Sequence, residues 1–479
     1  MVKARRKSHG SGSDAEPLQK NLDGRSKWWV LLPISLSAFM AGLDESIVNT
    51  LLPVLSRVFN CNVSTIVWVM TIYLLVVSGF LLSFGRLGDL RTHKVVYAWG
   101  LGVFILGSVL CGCATTPMIL ILFRAVQGLG AAMIFANTPA IISRNFPQQR
   151  GQALGMLATT VYLGLSLGPS VGGWLAEDFG WQVVFYINVP VGLLALWLSL
   201  RFIPPETPVE AEPFDWAGGL TFLSGLVALL LVLDQGHAWG WTAPITLLTF
   251  ALSVLLLCVF TIIECRVAHP MLDLSLFKNR LFLAANVSAV LNYICLFIIL
   301  FALPFYLITG RGLGSEQAGL LLITQPLIMA IVAPISGTLS DRFGSRLLAA
   351  FGMTILAVGL WKLSGLSPQS ALKEVPLTLC VTGLGIGLFT SPNNNSIMGA
   401  APPNRQGIAS ATLATARNIG MVLGVALPSA VLATVMSHSQ GNTTALFLGI
   451  KASFWVATAI ALLGALTSAV RGKSIVVSR

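Results

Sequence analysis

Gly85-Arg86-Leu87-Gly88-Asp89 closes the second long apolar segment of this chain, and Gly337-Thr338-Leu339-Ser340-Asp341 closes the tenth, 252 residues later. Three further echoes keep nearly the same spacing. Leu52-Pro53 matches Leu303-Pro304, Gly128-Leu129-Gly130 matches Gly383-Leu384-Gly385, and Gly151, Gly164 and Gly168 match Gly407, Gly420 and Gly424. Four separate matches at offsets of 251 to 256 residues describe a chain built twice. The displacement is eight segments, so each copy holds six and two are inserted between the copies.

The segments are too apolar for a soluble protein. Of 479 residues, 55% are hydrophobic and 10% charged, with a mean hydropathy of +0.82; soluble domains carry roughly 25% charged residues. Apolar runs of about 18–27 residues, long enough to cross a bilayer as helices, begin near Trp28 and end near residue 470. There are fourteen of them. The expected architecture is an all-α membrane protein of 14 transmembrane helices arranged 6+2+6, with two pseudo-symmetric halves. It divides into a basic tail (1–27), a six-helix half (28–203), two inserted helices with their loops (204–281), a second six-helix half (282–470) and a short tail (471–479). Parallel six-helix halves around a midplane site would resemble the plan of the major facilitators.

Net charge is +11 and the isoelectric point about 9.6, but the basic residues lie in short loops and tails. They form no aromatic-interleaved stripe, so nucleic acid is excluded as a partner and the lipid bilayer is the expected one. With the N-terminus inside, all but seven of the 29 Lys and Arg fall on the cytoplasmic side. Arg57, Arg311, Lys362, Lys373 and Lys451 fall outside, and Arg124 and Arg417 within helices. This bias places both termini in the cytoplasm of a cell-membrane protein. The seven cysteines have no metal-ligand spacing, and neither a phosphate-binding loop nor a catalytic constellation is present. No enzyme and no cofactor is expected.

Charges at bilayer depth are costly and usually functional. The deep acids are Asp44 and Glu45 and the deep bases Arg124 and Arg417. Asp44 and Glu45 lie about 100° apart on a helix, so one faces the cavity and the other a neighbouring helix. Arg124 needs an acidic partner. Two readings stay open: a static buried pair, or a carboxylate whose protonation releases Arg124. Asn49, Tyr73, Gln127, Asn137, Tyr162, Gln325 and Asn394, with Arg417, are candidate polar groups of a substrate cavity. Each is more often an interhelical hydrogen bond than a ligand contact.

Several motifs carry a resemblance. Gly164-Leu-Ser-Leu-Gly168-Pro169-Ser-Val-Gly172-Gly173 resembles the antiporter motif of major facilitator exporters at every glycine and at the proline. Leu122-Phe-Arg124-Ala-Val-Gln127-Gly128 resembles the arginine motif of proton-coupled members. Gly85 to Lys94 resembles the loop signature of the whole superfamily, with Thr92 where a glycine is usual and His93 where an arginine is usual. Leu43-Asp44-Glu45-Ser46-Ile47-Val48-Asn49 and Trp181 to Pro190 resemble the fourteen-helix drug:proton antiporter family, the EmrB/QacA-like multidrug exporters. The resemblance covers roughly residues 28–435.

That resemblance implies export of small amphipathic or cationic molecules in exchange for protons, by rocking of the two halves. Asp44 would carry the proton, with Glu45 an open second acid and Arg124 the sensor. Gly85, Asp89 and Arg91, with Gly337, Asp341 and Arg342, would form loops that gate or merely turn the chain, with some weakening from Thr92 and His93. The helix 5 glycines would provide a sliding interface. The second half has no deep acid, which favours the alternative of an exporter dedicated to one endogenous metabolite such as an amino acid, lipid precursor, siderophore or pigment. A non-transporting receptor is a remote third reading, since the longest cytoplasmic segment is the 27-residue tail. Some relatives of this kind work with a periplasmic adaptor; the short outer loops are equally compatible with working alone.

Overall fold

The structure is a computed structural model, described for residues 27–61, 63–206, 214–267, 270, 272, 274–438 and 443–470. Both tails, apart from Lys27, lie outside this range. Among the described residues there are helices and no strands. In hydrocarbon every backbone N–H and C=O must be paired within the segment, which leaves the helix as the form for these apolar runs.

The first six spans are α1 (Leu31–Val58), α2 (Val63–Leu90), α3 (His93–Gly112), α4 (Pro117–Asn145), α5 (Arg150–Asp178) and α6 (Val183–Phe202). Two inserted spans follow, α7 (Trp216–Trp239) and α8 (Pro244–Arg266). The last six are α9 (Arg280–Gly310), α10 (Gln317–Phe343), α11 (Ser345–Ser364), α12 (Glu374–Ala400), α13 (Gln406–His438) and α14 (Thr443–Ala469). Thirteen helices pass as single membrane spans; α5 becomes the fourteenth as two pieces, Arg150–Gly168 and Val171–Asp178, that meet at 42° around Pro169. Polar side chains mark several helix starts. Thr92, Thr116 and Asp215 each accept a backbone N–H of the first turn of α3, α4 and α7. Gly344, at φ 82°, makes the one-residue link between α10 and α11, a left-handed conformation that glycine adopts without strain.

The repeat in the sequence is a repeat in packing. Helix α1 lies along α5 and α3 along α4; correspondingly α9 lies along α13 and α11 along α12. Between the copies, α2 packs on α13 and α10 on α5. The inserted α7 rests against α2, α13 and α8.

The Gly-x-x-x-Asp strings are not loops, as the sequence suggested, but the last turns of α2 and α10. Their glycines serve close approach between helices. A Cβ on Gly85 would meet the Gly407 carbonyl at 2.5 Å, and one on Gly337 would collide with the Gly151 carbonyl. The aspartates then cap the helix starts of the opposite copy. Asp89 accepts from the N–H groups of Gly407 (2.9 Å) and Ile408 (3.0 Å), and Asp341 from those of Gly151 (2.9 Å) and Gln152 (3.0 Å). A carboxylate at a helix N-terminus meets both unpaired N–H groups and the positive end of the dipole. Thr92 and His93 do not undo this latch. His93 Nε2 lies 3.4 Å from Asp89 Oδ1, while Thr92 caps α3. Arg91 and Arg342 are exposed and take no part in it.

Both latches close the face at which α1 begins and α14 ends. Gly337→Val is therefore expected to hold that face open. In a background without native cysteines, a cysteine at Asn394 should react several-fold faster with maleimide when Gly337→Val is added. Equal rates would show that the glycine contacts do not hold the face shut.

Candidate functional site

Helix α1 carries the two deep acids in different directions. Asp44 is buried (1% exposed) and points into its own half; Glu45 lines a cavity between the halves. The geometry follows from adjacency on a helix, and it assigns each acid a distinct environment.

Donors from α4 and α6 converge on Asp44. Arg124 Nη1 on α4 donates to Asp44 Oδ2 at 2.8 Å, and Gln127 Nε2 and Asn188 Nδ2 donate to Oδ1 at 3.0 and 2.7 Å. Arg124 also donates to Gln127 Oε1 (2.6 Å) and to the Val69 carbonyl (3.2 Å), and its guanidinium lies 4.2 Å from the centre of the Tyr73 ring. Ser108 on α3 receives the second Gln127 amide hydrogen at 2.9 Å. A buried ion pair is tolerated when its remaining donors and acceptors are paired, and this one is nearly saturated. Tyr73 Oη, beside the guanidinium, is buried without a hydrogen-bond partner among the described residues.

The motif glycines of α5 seat that helix on α1. Cβ atoms at Gly164, Gly168 and Gly172 would meet Phe39 O, Ser46 and Ile47 of α1 at about 2.5 Å, and Ser46 Oγ donates to the Leu165 carbonyl at 2.7 Å. Gly173 faces open space, and the Pro169 side chain lies outside the described residues. The motif glycines thus join two helices of the same half and not the two halves. Contact between halves comes from the other end of α5, at Gly151 and Gly155, where Thr159 Oγ1 donates to the Ala330 carbonyl at 2.7 Å.

Two cavities lie between the halves. The larger, of ≈ 170 Å³, is lined by Glu45, by Thr71 and Ser78 of α2, by Leu230 and Leu233 of α7, and by Asn418 and its neighbours on α13. The smaller, of ≈ 100 Å³, holds Arg417, Tyr162, Tyr293, Thr390, Asn394 and Ser410. Glu45 makes no hydrogen bond or ion pair among the described residues, so the expected two-against-two balance is one bonded pair, Asp44 with Arg124, and two charges, Glu45 and Arg417, that attract without direct contact.

Of the candidate cavity residues, Tyr162, Asn394 and Arg417 line a cavity. Tyr73 and Gln127 belong to the Asp44 network. Asn137 is buried under the latch, where its Oδ1 meets His93 Nδ1 at 2.8 Å, and Gln325 ties α10 to α12 through Thr382 at 3.1 Å. These are interhelical bonds and not cavity groups. The Asn49 side chain lies outside the described residues. Sequence reasoning missed Asn188, although it sits in the Trp181–Pro190 stretch, because that stretch was legible only as a resemblance and an uncharged amide gives no sign of pairing with Asp44. It also missed Ser410 and Tyr293, which carry no charge or motif.

Removing one partner of a buried pair costs more than removing both. Arg124→Ala is expected to lower unfolding stability by about 3–5 kcal/mol, whereas Asp44→Asn combined with Arg124→Gln should cost less than Arg124→Ala alone. Thermal unfolding in detergent measures both; a double variant worse than the single would contradict the pairing.

Comparison with known proteins agrees with the architecture. The profile of the Major Facilitator Superfamily matches residues 34–277 and 285–473. The riboflavin transporter RibZ of Clostridioides difficile (strain 630) is 35% identical over 92% of this chain and 96% of its own. The multidrug resistance protein Stp of Mycobacterium tuberculosis (strain ATCC 25618 / H37Rv) is 32% identical over 86% of this chain and 77% of its own. The solved structure of the proton:xylose symporter XylE superposes with a TM-score of 0.66 at 15% identity, covering 92% of this chain and 95% of its own, a likeness of fold. Fourteen apolar spans, a doubled packing plan and reciprocal aspartate latches meet in one conclusion: the chain belongs to the Major Facilitator Superfamily and is a multi-pass membrane transporter, not an enzyme.

Proposed function

We propose that this transporter is a proton-coupled exporter of small amphipathic compounds, of the fourteen-helix drug:proton antiporter type, in the cell membrane with both termini cytoplasmic. The observation that supports it best is the division of labour on one turn of α1. Asp44 is locked to Arg124, and the adjacent Glu45 opens to a cavity between halves. With the termini inside, the closed latches lie on the cytoplasmic face, and the cavity holding Glu45 belongs to an outward-facing or occluded state.

In the proposed cycle a proton from outside enters through Glu45 and neutralises Asp44. Arg124 then loses its counter-charge, and its guanidinium must find new partners. The Asp44 network joins α1, α2, α4 and α6, so its rearrangement shifts the half as a unit and weakens the latches. Opening to the cytoplasm releases the proton and admits substrate. Each charge moved inward across 100 mV supplies about 2.3 kcal/mol, before any pH gradient.

A second reading has its own support. The 35% identical relative bears the name of a riboflavin transporter, and no acid of the second half lines either cavity. Both favour a dedicated, uncharged or anionic metabolite over a spectrum of cations.

The test is transport in proteoliposomes under an imposed pH gradient, with ethidium and with riboflavin as substrates. Wild type is expected to move at least one against the proton gradient, and Asp44→Asn to lose the gradient dependence. Gradient dependence that survives Asp44→Asn would overturn the assignment of the coupling residue.

A further inference from the structure

The smaller cavity contains a positive charge with no ion-pair or hydrogen-bond partner among the described residues. Arg417 sits on α13 with its guanidinium 4.9 Å from the centre of the Phe135 ring, and its Nε is buried without a hydrogen-bond partner. Its side chain makes no hydrogen bond or ion pair among the described residues. Glu45, the one carboxylate among the residues lining these cavities, lines the other cavity; it attracts Arg417 through space but forms no ion pair with it. A cation–π contact recovers less than the desolvation that a guanidinium suffers at depth.

Around Arg417 the lining is rich in unused hydrogen-bonding capacity. Ser410 is 0% exposed and its Oγ has no partner. Asn394 forms no hydrogen bond among the described residues. The phenols of Tyr162 and Tyr293 and the ring of Phe135 flank the space. Buried polar groups are as a rule satisfied, and a cluster of unpartnered groups that includes a guanidinium is suited to an anionic acceptor.

Symmetry supports this. The repeat that aligns Gly407 with Gly151 and Gly420 with Gly164 aligns Arg417 with Val161, and Val161 lines the same cavity. The fold therefore accepts an apolar side chain at this position in one copy. The charge in the other copy is an addition to the scaffold.

We infer that Arg417 is a specificity-determining residue, and that the smaller cavity takes a planar aromatic compound through a carboxylate or equivalent anionic acceptor. The acceptor pairs with Arg417, with Ser410 and Asn394 as further donors, and the ring system lies among Phe135, Tyr162 and Tyr293. Aromatic cations are disfavoured here, since the cavity offers them a like charge and no acid. The inference rests on the reading of these cavities as the substrate path. It does not require proton coupling, and binding measured at equilibrium separates the two.

The experiment uses two probes of matched size and opposite charge, 2-naphthoate and N-methylquinolinium, titrated calorimetrically into the purified full-length transporter at neutral pH. Wild type is expected to bind 2-naphthoate about tenfold or more tightly than N-methylquinolinium, the discrimination that a charge-assisted hydrogen bond provides. Arg417→Gln should lose that preference without weakening N-methylquinolinium, and Arg417→Lys should retain part of it. Thermal unfolding of each variant confirms the fold. Tighter binding of N-methylquinolinium to wild type would overturn the inference. So would equal losses of both probes in Arg417→Gln, or no binding of either probe by folded wild type. Should the anion preference follow Arg417 while Asp44→Asn leaves proton dependence intact, the coupling mechanism fails and this inference stands.

Discussion

The ion pair between Asp44 and Arg124 is the constraint around which the first half is arranged. Two opposite charges at bilayer depth are stable only if every other donor and acceptor they own is met. That demand draws Gln127 and Asn188 to the carboxylate, Val69 and the Tyr73 ring to the guanidinium, and Ser108 to Gln127. The seam of small residues on α5 has the same purpose at longer range. Glycines at 164, 168 and 172 let α5 approach α1 closely enough to fix the rotation of α1, and with it the opposite directions of Asp44 and Glu45. A bulkier α5 would move the acids, and the division between a sealed and an accessible carboxylate would be lost.

The deep charges break the symmetry that the scaffold keeps. Under the repeat, Asp44 aligns with Cys295, Glu45 with Leu296, Arg124 with Leu379 and Arg417 with Val161. Each charge thus stands opposite an apolar residue in the other copy. The latches are the reverse: Asp89 and Asp341 are both present, and each caps a helix of the opposite copy with near-equal bonds. Shared features hold the halves together, and unshared ones distinguish their roles. In the proposed cycle the first half reads the proton and the second contributes the charge that reads the substrate.

How much of this the sequence disclosed depended on the kind of signal. Helix number and the doubled plan were legible because hydrocarbon forces every span into the same long apolar pattern and the repeat preserved its glycines. The Asp44–Arg124 pair was legible from charge inventory, since a guanidinium at depth is costly without an acidic partner and the acids at depth were two adjacent residues. Roles that depend on direction were not. Gly85 and Gly337 read as turn residues, yet they are helical and serve backbone contact with Gly407 and Gly151. Asn137 and Gln325 read as cavity groups because polarity at depth says nothing of which way a side chain faces. Ser410 and Tyr293 left no mark, because an uncharged group becomes part of a site only when tertiary packing leaves it without a partner.

The central claim is that the charge state of Asp44 sets the equilibrium between the latched and the open cytoplasmic face. The most direct measurement is a distance distribution across that face, from spin labels near the ends of α2 and α13, recorded across pH. Wild type should shift towards the open distance as the medium is acidified. Asp44→Asn, which imitates the neutral carboxyl, should populate the open distance at every pH. A pH-driven shift of wild-type size in Asp44→Asn would contradict the account and move the coupling site elsewhere.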